Sequence, residues 1–226
     1  MTQNIIVAID GPAGAGKSTI AKIVAAKLGF SYIDTGAMYR SIAFKALEAG
    51  IIDDREAIEQ LAGKIDITFK PDGNINRVYA DGQEITELIR TPEVSNQASF
   101  VSSLGGVRAA MLVKQRELGN RGSAVMDGRD VGTCIFPDAA VKVFLTATSM
   151  ERARRRYIEL VAKGSEIDIY ELKKEIDARD KADSERAIAP LKKADDAVEI
   201  DSTKLSIGQT ADMIIEMAKR KMSDAV

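Results

Sequence analysis

The stretch from Ile5 to Leu28 leaves this chain few ways to fold. Five successive apolar residues, Ile5 to Ile9, read as a strand covered on both faces. They run into the string GPAGAGKS, Gly11 to Ser18. Beyond it, Ile20, Ile23, Val24 and Leu28 share one face of a helix over Ser18–Leu28 that Gly29 ends. The fixed spacing of Gly11, Gly16, Lys17 and Ser18 is that of a phosphate cradle. Glycine frees the backbone of Gly11, Pro12, Ala13, Gly14, Ala15 and Gly16 to wrap its N–H groups around phosphate oxygens. The helix adds its N-terminal dipole, Lys17 a mobile positive charge, and the Ser18 hydroxyl a ligand for Mg2+. Residue frequencies allow such a match by chance in roughly 1% of chains this long, so the cradle is taken as functional.

The same grammar recurs downstream. The string SYID (31–34) reads as a second strand, followed by a helix over Ala37–Ala49 that closes at Gly50. Asp53 and Glu56 have capping-box spacing before a short helix to Ala62, with Asp34 and Asp53 as candidate caps. Residues 63–92 then break the pattern: Ile65, Ile67 and Phe69 alternate, and turns at PDGN and ADG make an antiparallel ribbon. Thr91 caps a helix with Pro92 at its first position, and a further helix follows over Val107–Leu118. The strings SAVM, AVKVFLTA and AVEIDS supply three more strands. Thr148 with Glu151 and Asp168 with Glu171 open two helices between them, and a helix from Ser206 closes the chain. Alternating strands and helices predict a five-stranded parallel sheet with helices on both faces and the ribbon as an insertion, in one domain over residues 1–226.

Composition removes several classes of function. The chain has no histidine, so no Ser-His triad, imidazole zinc site or histidine base is available. One cysteine, Cys134, allows neither an intrachain disulfide nor a multi-thiolate metal site, which fits the cytoplasm. A net charge of −2 gives no reason to expect nucleic acid or a membrane surface as partner. No apolar run approaches the ~20 residues a membrane span needs, and the N-terminus lacks a signal-peptide layout. The D-x-x-G and N-K-x-D strings of guanine-nucleotide switches are missing.

Arginine is plentiful instead. Arg152, Arg154, Arg155 and Arg156 lie on one helix; Arg179, Asp180, Asp183 and Arg186 lie on and after the next. Glu151 and Glu159 are placed to pair with some of the first group. Two such helices flanking the loop AKGSEID suggest a lid over residues 152–188, bringing guanidinium groups over phosphate and excluding water. Asp127 and Asp130 end a buried strand, where ligands sit in open α/β sheets, and Asp127 is a candidate Mg2+ ligand through water. These residues leave the phosphate acceptor open.

The strings IDGPAGAGKST, DTGAMYR, IRTPEVSNQAS, MDGRDVGTCIFPDAAVKVFL and RAIAPL, spread over nearly the whole chain, resemble the bacterial cytidylate kinases, a family of nucleoside-monophosphate kinases. The resemblance implies a three-layer P-loop kinase fold with a helical lid, and transfer of the ATP γ-phosphate to CMP or dCMP with Mg2+. It implies a cytoplasmic monomer whose partners are ATP and CMP or dCMP. It places ATP on Gly11 to Thr19 with Arg155 and Arg156. Ser18 stands where some members have glycine, and in those the hydroxyl comes from the next residue, here Thr19. Arg40, Arg129 and Arg186 match arginines that hold the acceptor phosphate, with Thr35 near it. Ser99, Arg108 and Asp130 match the cytosine reader, and Arg179 with Asp183 the pair that meets the sugar. Residues 63–92 match the acceptor-binding part, and Lys17, Arg129, Arg179 and Arg186 carry the catalytic expectation.

Overall fold

The computed structural model describes residues 4–72, 75–162, 164 and 166–224. Parts of two predicted turns, Gly73 and Asn74 of PDGN and Lys163 and Ser165 of AKGSEID, lie outside the described residues, as do the first three residues of the predicted N-terminus.

Five strands form one sheet: β1 (Ile6–Asp10), β2 (Ser31–Asp34), β6 (Ala124–Gly128), β7 (Val141–Thr146) and β8 (Val198–Asp201), in the order β2-β6-β1-β7-β8. β1 runs parallel to β6 and β7, and β7 parallel to β8. The five-stranded parallel sheet expected from the sequence is present. β1 and β6 are buried at every residue, as central strands covered on both faces must be. A second sheet of three strands, β3 (Ile67–Asp72), β4 (Ile75–Ala80) and β5 (Gln83–Glu84), is antiparallel. Asp81 and Gly82 turn β4 into β5 with φ of 48° and 81°, the doubly positive pair of a tight hairpin.

The chain divides into two compact units. One comprises Met1–Ser31 with Gly122–Val226 and holds the phosphate loop, most of the parallel sheet, and helices α1 (Lys17–Leu28), α6 (Ser149–Val161), α7 (Ile169–Glu185) and α8 (Ile207–Asp224). α1 packs on α8 and β6. α6 and α7 pack on each other around Ala153, Leu172 and Ile176. The other unit, Tyr32–Arg121, holds the ribbon and helices α2 (Thr35–Glu48), α3 (Arg55–Lys64), α4 (Pro92–Val101) and α5 (Gly105–Gly119). It has its own core of Met38, Ile42, Ile58, Ile65, Ile89 and Met111, so the segment 63–92 is part of a larger packed body.

Capping chemistry sets most helix starts. Thr91, Thr148 and Asp168 cap as the sequence predicts, accepting from Val94, Glu151 and both Tyr170 and Glu171. The cap of α3 is a correction: it is Asp54, whose carboxylate accepts from the Ala57 N–H, and not Asp53. Glu56 three residues on favours Asp53 by the spacing rule, but the backbone path brings the Asp54 carboxylate to the helix start. α2 starts at Thr35 and α5 at Gly105, two residues earlier than predicted in each case.

Gly11 is the residue on which the loop's path most depends. Its φ is +149°, and a Cβ there would lie 2.0 Å from the Leu145 carbonyl oxygen of β7. Gly29, by contrast, has φ +69° with open space around it. Gly11→Ala is therefore expected to cost about 3 kcal/mol or more, through strain and overpacking, and Gly29→Ala only about 1 kcal/mol. Chemical denaturation of the two variants checks the ranking.

Candidate active site

The phosphate loop leaves β1 at Asp10 and enters α1 through Gly16, whose left-handed φ of 88° aims the helix start into the loop. No side chain caps α1, and no acidic residue sits in its first turn. The helices opened by Asp34, Asp54, Thr91, Thr148 and Asp168 all carry a side-chain cap. At α1 the free N–H groups and the positive end of the dipole are thus left for an anion. The Lys17 Nζ folds back to donate to the Pro12 carbonyl at 2.7 Å. Burial, reinforced by the Arg129 and Arg179 guanidinium groups, pushes its pKa well below the usual lysine value, while Asp127 and Asp10 pull the other way.

Asp10 is a site residue that the sequence reading missed. One carboxylate oxygen accepts from the Val131 N–H at 2.8 Å and the other from the Gly132 N–H at 2.7 Å. It thereby holds the single π-helical turn Val131–Ile135, immediately after Arg129 and Asp130, against the end of β1. Burial raises its pKa to about 6 despite these two bonds, with Asp130 adding to the rise and Lys17 opposing it. The available signal was its place at the carboxyl end of a buried strand, the rule already applied to Asp127 and Asp130.

The four residues expected to be catalytic come together in this unit. Arg129 Nε donates to Asp183 Oδ2 at 2.8 Å. Arg186 Nη2 reaches Asp130 Oδ1 at 3.3 Å, its Nη1 lies 3.9 Å from Asp183 Oδ1, and its Nε donates to the Ala189 carbonyl at 2.6 Å. Burial works to raise the Asp183 pKa, but Arg129, Arg179 and Arg186 outweigh it and hold the carboxyl below its usual value. Lys17, Arg129, Arg179 and Arg186 therefore form one positive cluster, balanced by Asp10, Asp127, Asp130 and Asp183. A buried charge cluster is tolerable only with such compensation.

The arginine run on α6 is divided by helix geometry. Arg155 turns inward: its guanidinium donates to the Ser202 carbonyl at 2.7 Å and to the Ala15 carbonyl of the loop at 3.4 Å, and its Nε to Glu151 at 3.1 Å. Arg154 is exposed and pairs with Glu151, whereas Arg156 is half-buried and pairs with Glu159. Arg152 is buried and bonded within the protein.

Thr35, Arg40, Ser99 and Arg108 belong to the other unit. Asp34 caps α2 through the Ala37 N–H at 2.8 Å and pairs with Arg40 at 2.9 Å. Gly36 leaves room for that pair, since a Cβ would sit 3.2 Å from both partners. Thr35 is buried at the helix start and Ser99 is half-buried on α4. Arg108, on α5, is 7% exposed, donates to the Ser102 carbonyl at 3.2 Å, and lies 5.5 Å from the Tyr39 ring centre.

The donors suitable for a metal are all oxygen: the exposed hydroxyls of Ser18 and Thr19 on α1, and the buried Asp127 carboxylate beside Lys17. Among the described residues no group of three or more His, Cys, Asp or Glu could hold an ion alone. One or two hard oxygens, with water and phosphate completing the shell, is the arrangement that suits Mg2+.

Comparison with known proteins agrees with this chemistry. The family model described as cytidylate kinase matches residues 7–220. Among the relatives, the cytidylate kinase of Bacillus licheniformis is 50% identical over 224 residues, covering 98% of this chain and 99% of its own. That of Bacillus pumilus is 51% identical over 221 residues, covering 97% and 98%. At the level of fold alone, the crystal structure of an uncharacterized protein from Eubacterium ventriosum superposes with a TM-score of 0.53 at 14% identity, covering 96% of this chain and 99% of its own. With a family match along almost the entire sequence, and an uncapped glycine loop ringed by lysine and arginine at its heart, the chain belongs to the cytidylate kinase family.

Proposed function

We propose that this protein transfers the γ-phosphoryl group of ATP to CMP or dCMP, giving ADP and CDP or dCDP. The observation that carries the reading is the positive cluster of Lys17, Arg129, Arg179 and Arg186 around a phosphate loop, in a chain of this family. The acceptor is already an anionic oxygen at neutral pH, so the reaction needs no general base, and the chain offers no histidine to act as one. Rate comes from positioning and from charge neutralisation. The loop amides and the start of α1 hold the donor phosphates, with Ser18, Thr19, Arg155 and Arg156 as further contacts. Lys17 follows the phosphoryl group as charge builds on it. Arg129 and Arg186, with Arg40, fork onto acceptor phosphate oxygens. Ser18 and, through water, Asp127 would hold Mg2+, which when bound would supply Lewis-acid stabilisation of the phosphate charge.

Base selection follows from donor and acceptor chemistry. Cytosine presents an amino donor at C4 and acceptors at N3 and O2. We assign Asp130 to the amino group, Arg108 and Ser99 to the acceptors, Thr35 to the neighbourhood of the acceptor phosphate, and Asp183 with Arg179 to the sugar. Uracil places an oxygen at C4, which a carboxylate repels. The segments 63–92 and 152–188 take the acceptor-binding and lid roles. We further infer a cytoplasmic monomer acting in pyrimidine nucleotide metabolism. No described helix is long and apolar enough to cross a membrane.

Three outcomes are expected. In a coupled assay with ATP and Mg2+, CMP and dCMP exceed UMP, dTMP and AMP in kcat/KM by about tenfold or more; a different preferred acceptor overturns the assignment. Lys17→Ala lowers kcat by roughly 100- to 10,000-fold while the CMP KM changes little, and near-normal turnover removes its role. Asp130→Ala lowers kcat/KM for CMP by about ten- to a hundredfold, through the loss of one buried charged hydrogen bond, with a smaller effect on UMP.

A further inference from the structure

The backbone of Ala13, in the phosphate loop, is held through both its flanking peptides by side chains from the two lid helices. Its N–H donates to Asp180 Oδ1 at 2.9 Å, and its carbonyl accepts from Arg152 Nη1 at 2.8 Å. Arg152 Nη1 also bonds to Asp180 Oδ2, which closes the ring. Arg152 Nε donates to the Ala147 carbonyl at 3.0 Å, anchoring the guanidinium to the end of β7. The side chains of Arg152 and Asp180 are only 8% and 16% exposed. The next loop residue, Gly14, has φ +73° and lies so close to α6 that a Cβ would be 3.2 Å from both the Cβ and the carbonyl oxygen of Arg152. The loop thus rests on the first turn of α6 and is tied to α7 through Asp180.

Neither residue has a role in the mechanism above, and both sit where one is needed. A glycine-rich loop is costly to order, and an anion seat works best when its amides are aimed before the anion arrives. Locking the Ala13 backbone fixes the loop upstream of Gly14–Lys17. The same ring sets the position of the loop relative to α6, which carries Arg155, and α7, which carries Arg179 and Asp183. The Asp180 charge is an awkward neighbour for polyphosphate unless it is neutralised, and Arg152 neutralises it.

We propose that Arg152 and Asp180 are positioning residues for ATP: a charge-neutral clamp that preorganises the phosphate loop and couples it to the lid helices. The proposal rests on the phosphoryl-transfer reading only in naming ATP as ligand. Its test is direct binding, measured by calorimetry with Mg2+ and with ATP or CMP added singly to the full chain.

The clamp implies an order of effects that a merely structural contact does not. Arg152→Met leaves the Asp180 carboxylate uncompensated beside the incoming phosphates, and ATP affinity is expected to fall about tenfold or more. Asp180→Asn keeps an oxygen for the Ala13 N–H but loses the charge pair, and a fall of about threefold is expected. The double variant removes the repulsion and recovers at least about threefold of the ATP affinity lost in Arg152→Met. CMP affinity stays within about twofold of wild type throughout. ATP affinity unchanged in Arg152→Met, CMP affinity falling in step with ATP, or a double variant as weak as Arg152→Met each overturns the clamp. Should Arg152→Met fail to fold, Asp180→Asn decides alone: weaker ATP binding with CMP unchanged supports the clamp, and unchanged ATP binding overturns it. A wild-type chain that binds ATP but not CMP would sink the acceptor assignment and leave the clamp standing.

Discussion

Concentrated positive charge inside a folded chain is the constraint around which the larger unit is organised. Lys17, Arg129, Arg179 and Arg186 cannot be gathered beside a phosphate loop unless something compensates them, because the desolvation of unpaired ions costs several kcal/mol each. Asp10, Asp127, Asp130 and Asp183 provide that compensation from strand ends and from α7. Two of these carboxylates also organise their surroundings. Asp10 holds the turn after Arg129 through two backbone amides, and Asp183 gathers three guanidinium groups at once. The depressed Lys17 pKa and the raised Asp10 pKa are two sides of this crowding, and burial is the largest cause of both.

The parallel sheet serves this arrangement directly. β1 and β6 are adjacent and in register, with Asp10 opposite Gly128 and Ile9 opposite Asp127. The donor loop and the segment bearing Arg129 and Asp130 therefore leave the same edge of the sheet side by side. Two peptide N–H groups on one carboxylate are enough to fix one against the other. The ribbon-bearing unit is organised differently: its polar candidates are set by the ends and faces of helices packed on a separate apolar core, with Asp34 both capping α2 and holding Arg40.

Much of this was legible in the residue string, for identifiable reasons. Buried central strands appear as uninterrupted apolar runs, the phosphate loop has rigid spacing, and caps such as Thr91, Thr148 and Asp168 sit directly before helical periodicity. Choices that depend on the course of the backbone were not legible. In DDRE the spacing to Glu56 favours Asp53, yet Asp54 prevails because its carboxylate reaches the Ala57 amide. The arginine run looked uniform in one dimension. On a helix of 3.6 residues per turn Arg152, Arg155 and Arg156 share one side and Arg154 alone is carried to the exposed one, and of the three Arg152 and Arg155 bond to the phosphate loop. Asp10 escaped notice because its partners lie 121 and 122 residues away, a separation that no local pattern encodes.

The bare start of α1 has a thermodynamic corollary. With Gly16 at its N-cap, the start of α1 forgoes about a few tenths of a kcal/mol that serine or aspartate would contribute. Here that deficit falls on the element that an anion would complete. A bound nucleotide restores what the chain withholds from itself, and mass action adds about 2.7 kcal/mol to the folded state at a hundred times the dissociation constant. The stability of the folded chain is then partly a property of its surroundings, rising with the concentration of the anion that completes the helix.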